Sequence, residues 1–343
     1  MAKVTPAPLQ PDTMVGVYRM VRKLAAGGFG VVYLALDGQG QQVAIKEYLP
    51  SSLVTRAEGE RVPQVSAEMQ SLYRLGLKSF FEEGRSLAQI AHPSVVRVMD
   101  FFPENGTVYM VMNYLEGASL QDFILTARQL KKPKVFREST IRSLTEEILR
   151  GLRIVHQHRM LHLDIKPANI LITDDNRAVL IDFGAAREVL TKEGNFTRPM
   201  YTPGFAAPEM YQRDGIMGPW TDLYAMGACI YSCMHGFPPS EASLRVADDR
   251  AAITMARLRA RLRGTYSDNL IEVVSWCMAL DPLARPQSVF ELQKVLSREG
   301  ERRYTRLSMR EKIRLQIDTF VADTRKPAGK RQAPQGKAGS PLF

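Results

Sequence analysis

The stretch His162-Leu163-Asp164-Ile165-Lys166-Pro167-Ala168-Asn169-Ile170-Leu171-Ile172 decides how the rest of the chain is read. It sets an Asp, a Lys two positions on and an Asn five positions on among apolar residues. A second short apolar run, Ala178-Val179-Leu180-Ile181, is followed by Asp182-Phe183-Gly184, and Asp174-Asp175-Asn176 stands between the two runs as a turn. The spacing predicts a loop leading into a tight β-hairpin. Such a hairpin brings Asn169 and Asp182 together as oxygen ligands for a hard cation such as Mg²⁺. Asp164 is then left to orient or deprotonate an attacking hydroxyl. A single Asp of this kind is more often a loop residue or a helix cap; the ordered set beside Lys166 carries more weight.

Further along stands Ala207-Pro208-Glu209. With His162-Leu163-Asp164, Lys166, Asn169 and Asp182-Phe183-Gly184 before it, the sequence resembles the protein kinase family, whose members carry His-Arg-Asp, Lys-x-x-Asn, Asp-Phe-Gly and Ala-Pro-Glu in that order. The departure is Leu163 in place of the middle Arg. In the family that Arg takes a counter-charge, often a phosphate on the following loop. Leu163 offers no such charge, so the resemblance implies activity that does not depend on phosphorylation of the 182–209 loop at Thr191 or Thr197. Arg187 and Arg198 could still bind a phosphate locally.

Upstream, Tyr18–Leu24 and Val31–Ala35 alternate like strands around Ala25-Ala26-Gly27-Gly28-Phe29-Gly30. A glycine-rich turn can lay backbone N–H groups over phosphates, although a plain hairpin would read the same. The family's glycine pattern maps onto Ala25, Gly27, Gly30 and Val32, with Ala25 replacing the first glycine. Val43-Ala44-Ile45-Lys46 matches the family's Val-Ala-Ile-Lys strand, so Lys46 is implied to grip the nucleotide's phosphates. Its implied partner lies on the next helix, read over Lys78–Ile90; His92-Pro93 points to Glu83, with Glu82 as the alternative. Met112-Asn113-Tyr114-Leu115 resembles the hinge: Met112 would guard the back of the adenine pocket, and the backbone of Asn113 and Leu115 would bind the base. Ala44 and Leu171 belong to the same implied pocket. The opening of the long segment 47–75, Lys46-Glu47-Tyr48-Leu49-Pro50, is similar to bacterial Ser/Thr kinases, but its residues do not reveal whether it is a loop, a helix or a docking surface.

In the second half, Ile141, Leu144, Ile148, Leu152 and Val155 recur at helical spacing over Thr140–Gln157, a core stripe. Lys131-Lys132-Pro133-Lys134 reads as a loop. By resemblance Thr202 bonds Asp164 and Lys166 and marks a Ser/Thr-directed enzyme, Asp222 braces the catalytic loop, and Arg285 pairs with Glu209.

The chain has 343 residues and a formal net charge of +10. Over residues 301–343, 11 Lys/Arg stand against 4 Asp/Glu, so most of the excess lies in a solvated tail and no nucleic-acid partner is expected. Cys229, Cys233 and Cys277 fit neither a disulfide framework nor a zinc site, which points to a reducing, cytoplasmic setting. The opening Met-Ala-Lys-Val-Thr-Pro lacks the apolar core of a signal peptide and no run of about 18 apolar residues occurs, so no membrane span is expected. The expected organisation is a flexible lead-in over residues 1–17, a kinase domain over 18–298 and a C-terminal helix within 299–323. A disordered basic tail, 324–343, completes it.

The fold class expected is α+β and two-lobed, with a small β-rich N-lobe to about residue 113 and a larger helical C-lobe. The resemblance implies ATP and Mg²⁺ (with Mn²⁺ as a substitute) as cofactors and the transfer of phosphate to protein Ser/Thr hydroxyls. Asp164 and Lys166 would be catalytic, and Asn169 and Asp182 would be the metal ligands. Autophosphorylation and a cognate phosphatase are implied alongside. A pseudokinase would need Lys46, Asp164, Asn169 or Asp182 broken, and all four stand. A small-molecule phosphotransferase of this fold generally lacks the Thr202-Pro203 to Glu209 segment.

Overall fold

A computed structural model describes residues 6–130, 136–184, 201–247, 262 and 264–297. The N-lobe is built on an antiparallel sheet in the order β1-β2-β3-β4-β8-β7: β1 (Met14–Val15), β2 (Tyr18–Ala26), β3 (Gly30–Leu36), β4 (Gln42–Tyr48), β8 (Thr107–Asn113) and β7 (Val98–Glu104). Register pairs Val32 with Lys46, Lys46 with Met110 and Ala44 with Met112. Side chains alternate along strands, so Val32, Ala44, Lys46, Met110 and Met112 share one face, and all five line one cleft. Val31, Tyr33, Ile45, Glu47 and Tyr109 take the other face.

That second face is covered by the N-terminal residues, where the sequence reading expects a flexible lead-in, and by the 47–75 segment, whose form it leaves open. Residues 6–17 are not a loose lead-in: Leu9 is 6% exposed, Val15 is fully buried, and the Ala7 N–H donates to the Arg56 carbonyl at 2.9 Å. The 47–75 segment extends β4, forms a small hairpin from β5 (Val54–Thr55) and β6 (Gln64–Val65), and enters helix α1 (Gln70–Leu87). The helix thus starts well before Lys78 and ends before Ile90. It buries Tyr73, Phe80, Glu83 and Leu87. At Gly84 a Cβ would stand 3.2 Å from Met110 Cε, so a glycine there lets α1 lie close on the sheet.

Strand β9 (Gly117–Ser119) leads into α2 (Leu120–Gln129), where Ser119 and Asp122 form a capping box that satisfies two orphan N–H groups. Helix α3 (Glu138–Gln157) buries its Ile141, Leu144, Ile148, Leu152 and Val155 stripe as the period predicts. Helix α4 (Pro219–His235) is buried on nearly every side, and burial pushes the thiols of Cys229 and Cys233 upward. All three cysteines are free and buried.

Arg285 holds Glu209 through two parallel bonds of 2.8 and 2.9 Å, and the Thr221 hydroxyl donates to the same carboxylate at 2.8 Å. The Arg285 side chain is fully buried and that of Glu209 is 4% exposed. Arg285→Met would strand a buried carboxylate, which costs roughly 3–5 kcal/mol. The expected result is a large fall in melting temperature, partly recovered in Glu209→Gln/Arg285→Met; calorimetry checks both.

Candidate active site

The 162–172 stretch is shaped by a three-stranded sheet. Strand β10 (Ile170–Thr173) pairs with β11 (Ala178–Leu180) on one side and with β9 on the other. The turn holds Asn176 at φ +67°, a left-handed position that Asn tolerates. Ile170 lies opposite Leu180, and the Ile181 N–H donates to the Asn169 carbonyl at 3.0 Å. Asn169 and Asp182 therefore meet where the hairpin opens, as the spacing predicts. The Asn169 amide donates to Asp164 Oδ2 at 2.7 Å, to the Asp164 carbonyl at 2.9 Å and to the Asp182 carbonyl at 3.2 Å.

Two residues bend the chain here against their own preference. Leu163 and Asp182 both sit at φ +60°. Each placement costs on the order of 1 kcal/mol or more and needs its surroundings to hold it. Those surroundings are identifiable. Asp222 accepts the His162 and Leu163 N–H groups at 2.9 and 2.8 Å and pairs with His156 Nε2 at 2.8 Å. Burial alone would raise the Asp222 pKa, but His156 and His162 hold it below the usual carboxylate range. The Gly184 N–H donates to the His162 carbonyl at 2.9 Å, and the His162 ring stacks on Phe183 with centroids 4.3 Å apart. A Cβ on Gly184 would stand 3.2 Å from both the Asp164 Cβ and the Leu163 carbonyl, so glycine lets this turn pack closely on the 162–164 backbone.

Asp164, Lys166 and Thr202 form a triangle. Lys166 Nζ lies 2.8 Å from Asp164 Oδ2 and donates to Thr202 Oγ1 at 3.0 Å; that hydroxyl in turn donates to Asp164 Oδ1 at 3.4 Å. On the sheet side, Lys46 Nζ lies 2.5 Å from Asp182 Oδ1 and 5.4 Å from the centre of the Phe80 ring. Glu83 is 4% exposed and lines the same cleft.

The cleft has a volume of about 620 Å³. It is lined by Ala25, Gly27, Gly30, Val32, Ala44, Lys46, Glu83, Met112, Asn113, Leu115 and Leu171, together with Lys166, Asn169 and Asp182. Asp164 lies just beyond, against a smaller space shared with Tyr201, Thr202 and Phe205. The sequence reading overlooked Leu24, Leu87, Val96, Met110 and Phe183 in the cleft wall. Met110 was within reach, because it stands two residues before Met112 on the same strand face.

At the hinge, the Asn113 N–H donates to the Arg97 carbonyl at 3.1 Å and its side-chain oxygen accepts from the Arg97 N–H at 2.9 Å, fixing the strand end. In the glycine-rich turn, a Cβ on Gly27 or Gly28 would meet nothing within 4 Å, whereas one on Gly30 would fall 2.2 Å from the Glu47 carbonyl. Gly30 is thus demanded by packing on β4. Ala25 pairs with Val32 inside a strand, a position that accommodates a methyl group.

A family model described as the protein kinase domain matches residues 18–297. This chain belongs to the protein kinase family. A serine/threonine-protein kinase of Caenorhabditis elegans is 27% identical over 288 residues, covering 79% of this chain and 26% of that protein. Serine/threonine-protein kinase pkn2 of Myxococcus xanthus is 28% identical over 303 residues, covering 84% of this chain and 33% of the relative. This chain therefore spans about a quarter to a third of the length of these two relatives. Among solved structures, PpkA-294 in its apo form superposes with a TM-score of 0.73 at 33% identity, covering 84% of this chain and 99% of the other. A cysteine-to-alanine mutant of the PknI kinase domain of Mycobacterium tuberculosis, at 21% identity and a TM-score of 0.60 and covering 86% of this chain and 100% of the other, shares the fold.

The kinase domain's strand lysine yields a clean test. Lys46→Met keeps length and apolar bulk but removes the ammonium that meets Asp182, and losing one preorganised charge of this kind costs about 10²–10³-fold in turnover. The expected variant keeps its melting curve and loses transfer by that factor. A folded Lys46→Met protein with full activity would contradict the assignment.

Proposed function

We propose that this chain is an ATP- and Mg²⁺-dependent protein serine/threonine kinase that moves the γ-phosphoryl group of ATP to Ser and Thr hydroxyls, its own included. The observation that carries the reading is the Asp164–Lys166–Thr202 triangle beside a cleft that Lys46, Lys166 and Asp182 line together.

The residues fit Mg²⁺. Asp182 supplies a carboxylate and Asn169 an amide oxygen, both hard donors, and among the described residues no group of three or more His, Cys, Asp or Glu could hold a metal by itself. Two protein ligands with phosphate oxygens and water completing the shell is the arrangement Mg²⁺ favours. When bound, the ion would neutralise charge building on the phosphates. Lys46 would position the α/β-phosphates, and Lys166 would offset charge on the transferring group. Asp164 would orient the acceptor hydroxyl and take its proton. Most of the acceleration then comes from placement and fixed charge.

The buried, unpaired thiols favour work in the reducing cytoplasm, and a phosphatase that reverses the modification is the expected counterpart. Among the described residues no helix is long and apolar enough to cross a membrane. Lys131, Lys132 and Lys134, the loop threonines Thr191 and Thr197, and the helix and tail expected after residue 298 lie outside the described residues.

Labelled ATP offered with a basic protein, with small-molecule alcohols and with the enzyme alone tests the reading. Label on the protein acceptors supports it, whereas label confined to a small alcohol, or none at all, would overturn it.

A further inference from the structure

Pairing between β3 and β4 runs on past the last residue of β4. The Leu49 N–H donates to the Phe29 carbonyl at 3.0 Å, and the Ser51 N–H donates to the Gly28 carbonyl at 3.0 Å, with Ser51 Oγ 3.4 Å from the same oxygen. Gly28 and Phe29 are the tip of the glycine-rich turn and line the cleft. The tip is thus fastened to the segment that follows the Lys46 strand.

That segment is itself anchored. Leu49, Leu53 and Val54 are buried, and the Leu53 and Val54 N–H groups donate to the Pro50 carbonyl at 2.9 and 3.1 Å. Next comes Arg56, whose guanidinium meets Glu47 at 2.5 and 2.9 Å with both side chains fully buried. The same guanidinium donates to the Ala7 carbonyl at 2.7 Å and to the Arg61 carbonyl at 3.2 Å. Tyr33 and Tyr109 donate to the Glu47 carboxylate at 2.7 and 3.2 Å. Such a cluster removes two charges from water, and a well-packed apolar substitute would serve stability as well. Its geometry does something apolar packing would not: it locks the segment to Glu47, the residue directly after Lys46, on the opposite strand face.

We propose that residues 49–65 are a brace that fixes the glycine-rich turn over the nucleotide's phosphates, with Arg56 as its buried anchor and the Ser51 amide as its contact. Both are positioning residues. The proposal rests on the cleft being an ATP site.

A brace on this turn acts on the phosphates and leaves the base alone, so ATP and adenosine separate it from general damage. Ser51→Pro deletes the N–H and the hydroxyl, whereas Ser51→Ala deletes the hydroxyl alone. Calorimetric titration of the full chain should show Ser51→Pro binding Mg²⁺-ATP about fivefold more weakly, the weight of one net hydrogen bond, with adenosine affinity unchanged. In turnover, KM for ATP should rise by a similar factor with kcat little altered, and Ser51→Ala should match the unaltered protein. Should Ser51→Pro fail to fold, Glu47→Gln/Arg56→Met, which removes the anchor without stranding a charge, must show the same ATP-selective loss. Unchanged ATP affinity in the folded variant overturns the brace, and so does an equal loss for adenosine. An unaltered protein that binds neither ligand overturns the cleft reading and the brace with it.

Discussion

Asp182→Ala is expected to abolish phosphoryl transfer, lowering the rate by roughly 10³-fold or more, which is several kcal/mol of transition-state stabilisation. The carboxylate has two demands on it. It lies 2.5 Å from the Lys46 ammonium, and it lines the cleft at the hairpin mouth. Removing it takes the proposed metal ligand and the lysine's partner together. Its carbonyl, which accepts from Asn169 at 3.2 Å, stays in place, so the loop geometry should survive. At φ +60° an Ala is somewhat more strained than the Asp it replaces, since a short polar side chain tolerates the left-handed region better, and a loss of stability of about 1 kcal/mol is expected. Steady-state transfer with Mg²⁺ and then Mn²⁺, beside a melting curve, checks this. Full transfer by the folded Asp182→Ala protein would remove the metal assignment, as would undiminished transfer by the unaltered protein in excess chelator.

Asp164→Asn should lower turnover by about 10²–10⁴-fold, the range for a lost general base. Asp164 Oδ2 accepts from Asn169 and faces Lys166, while Oδ1 accepts the Thr202 hydroxyl. An Asn can keep its oxygen toward the first pair and turn its NH₂ toward Thr202 Oγ, so the site keeps its shape and loses its base. Nucleotide affinity should change little, because Asp164 does not line the cleft. A variant that binds ATP normally and transfers normally would show that Asp164 takes no proton.

The geometry of the hairpin mouth was legible because it depends on short-range patterns. The β10–β11 hairpin follows from two apolar runs and a turn, and it brings Asn169 to Asp182 with no long-range knowledge. The α3 stripe and the Ser119–Asp122 cap are local in the same sense. Residues 6–17 and 47–75 were misjudged or left open for the opposite reason. Leu9 is buried only because Tyr33 and Arg56 bind the chain beside it, and Arg56 is buried only because Glu47 and two tyrosines from separate strands surround it. Nothing in the local polarity of that Arg foretells a fully buried ion pair. The start of α1 was hidden as well. Gly76 and Gly84 interrupt its apolar pattern, and the reason for Gly84 is a methionine on β8. The positive φ of Leu163 was also beyond reach, since groups distant in sequence, Asp222 among them, make that bend hold.

Mass spectrometry of a mixed Ser, Thr and Tyr peptide library, incubated with ATP and Mg²⁺ and with either the unaltered protein or Asp164→Asn, tests the central claim most directly. The account predicts phosphate on Ser and Thr with the unaltered protein and a loss of about 10²-fold or more with the variant. Phosphate confined to Tyr, no phosphate at all, or equal phosphorylation by the two proteins would contradict it.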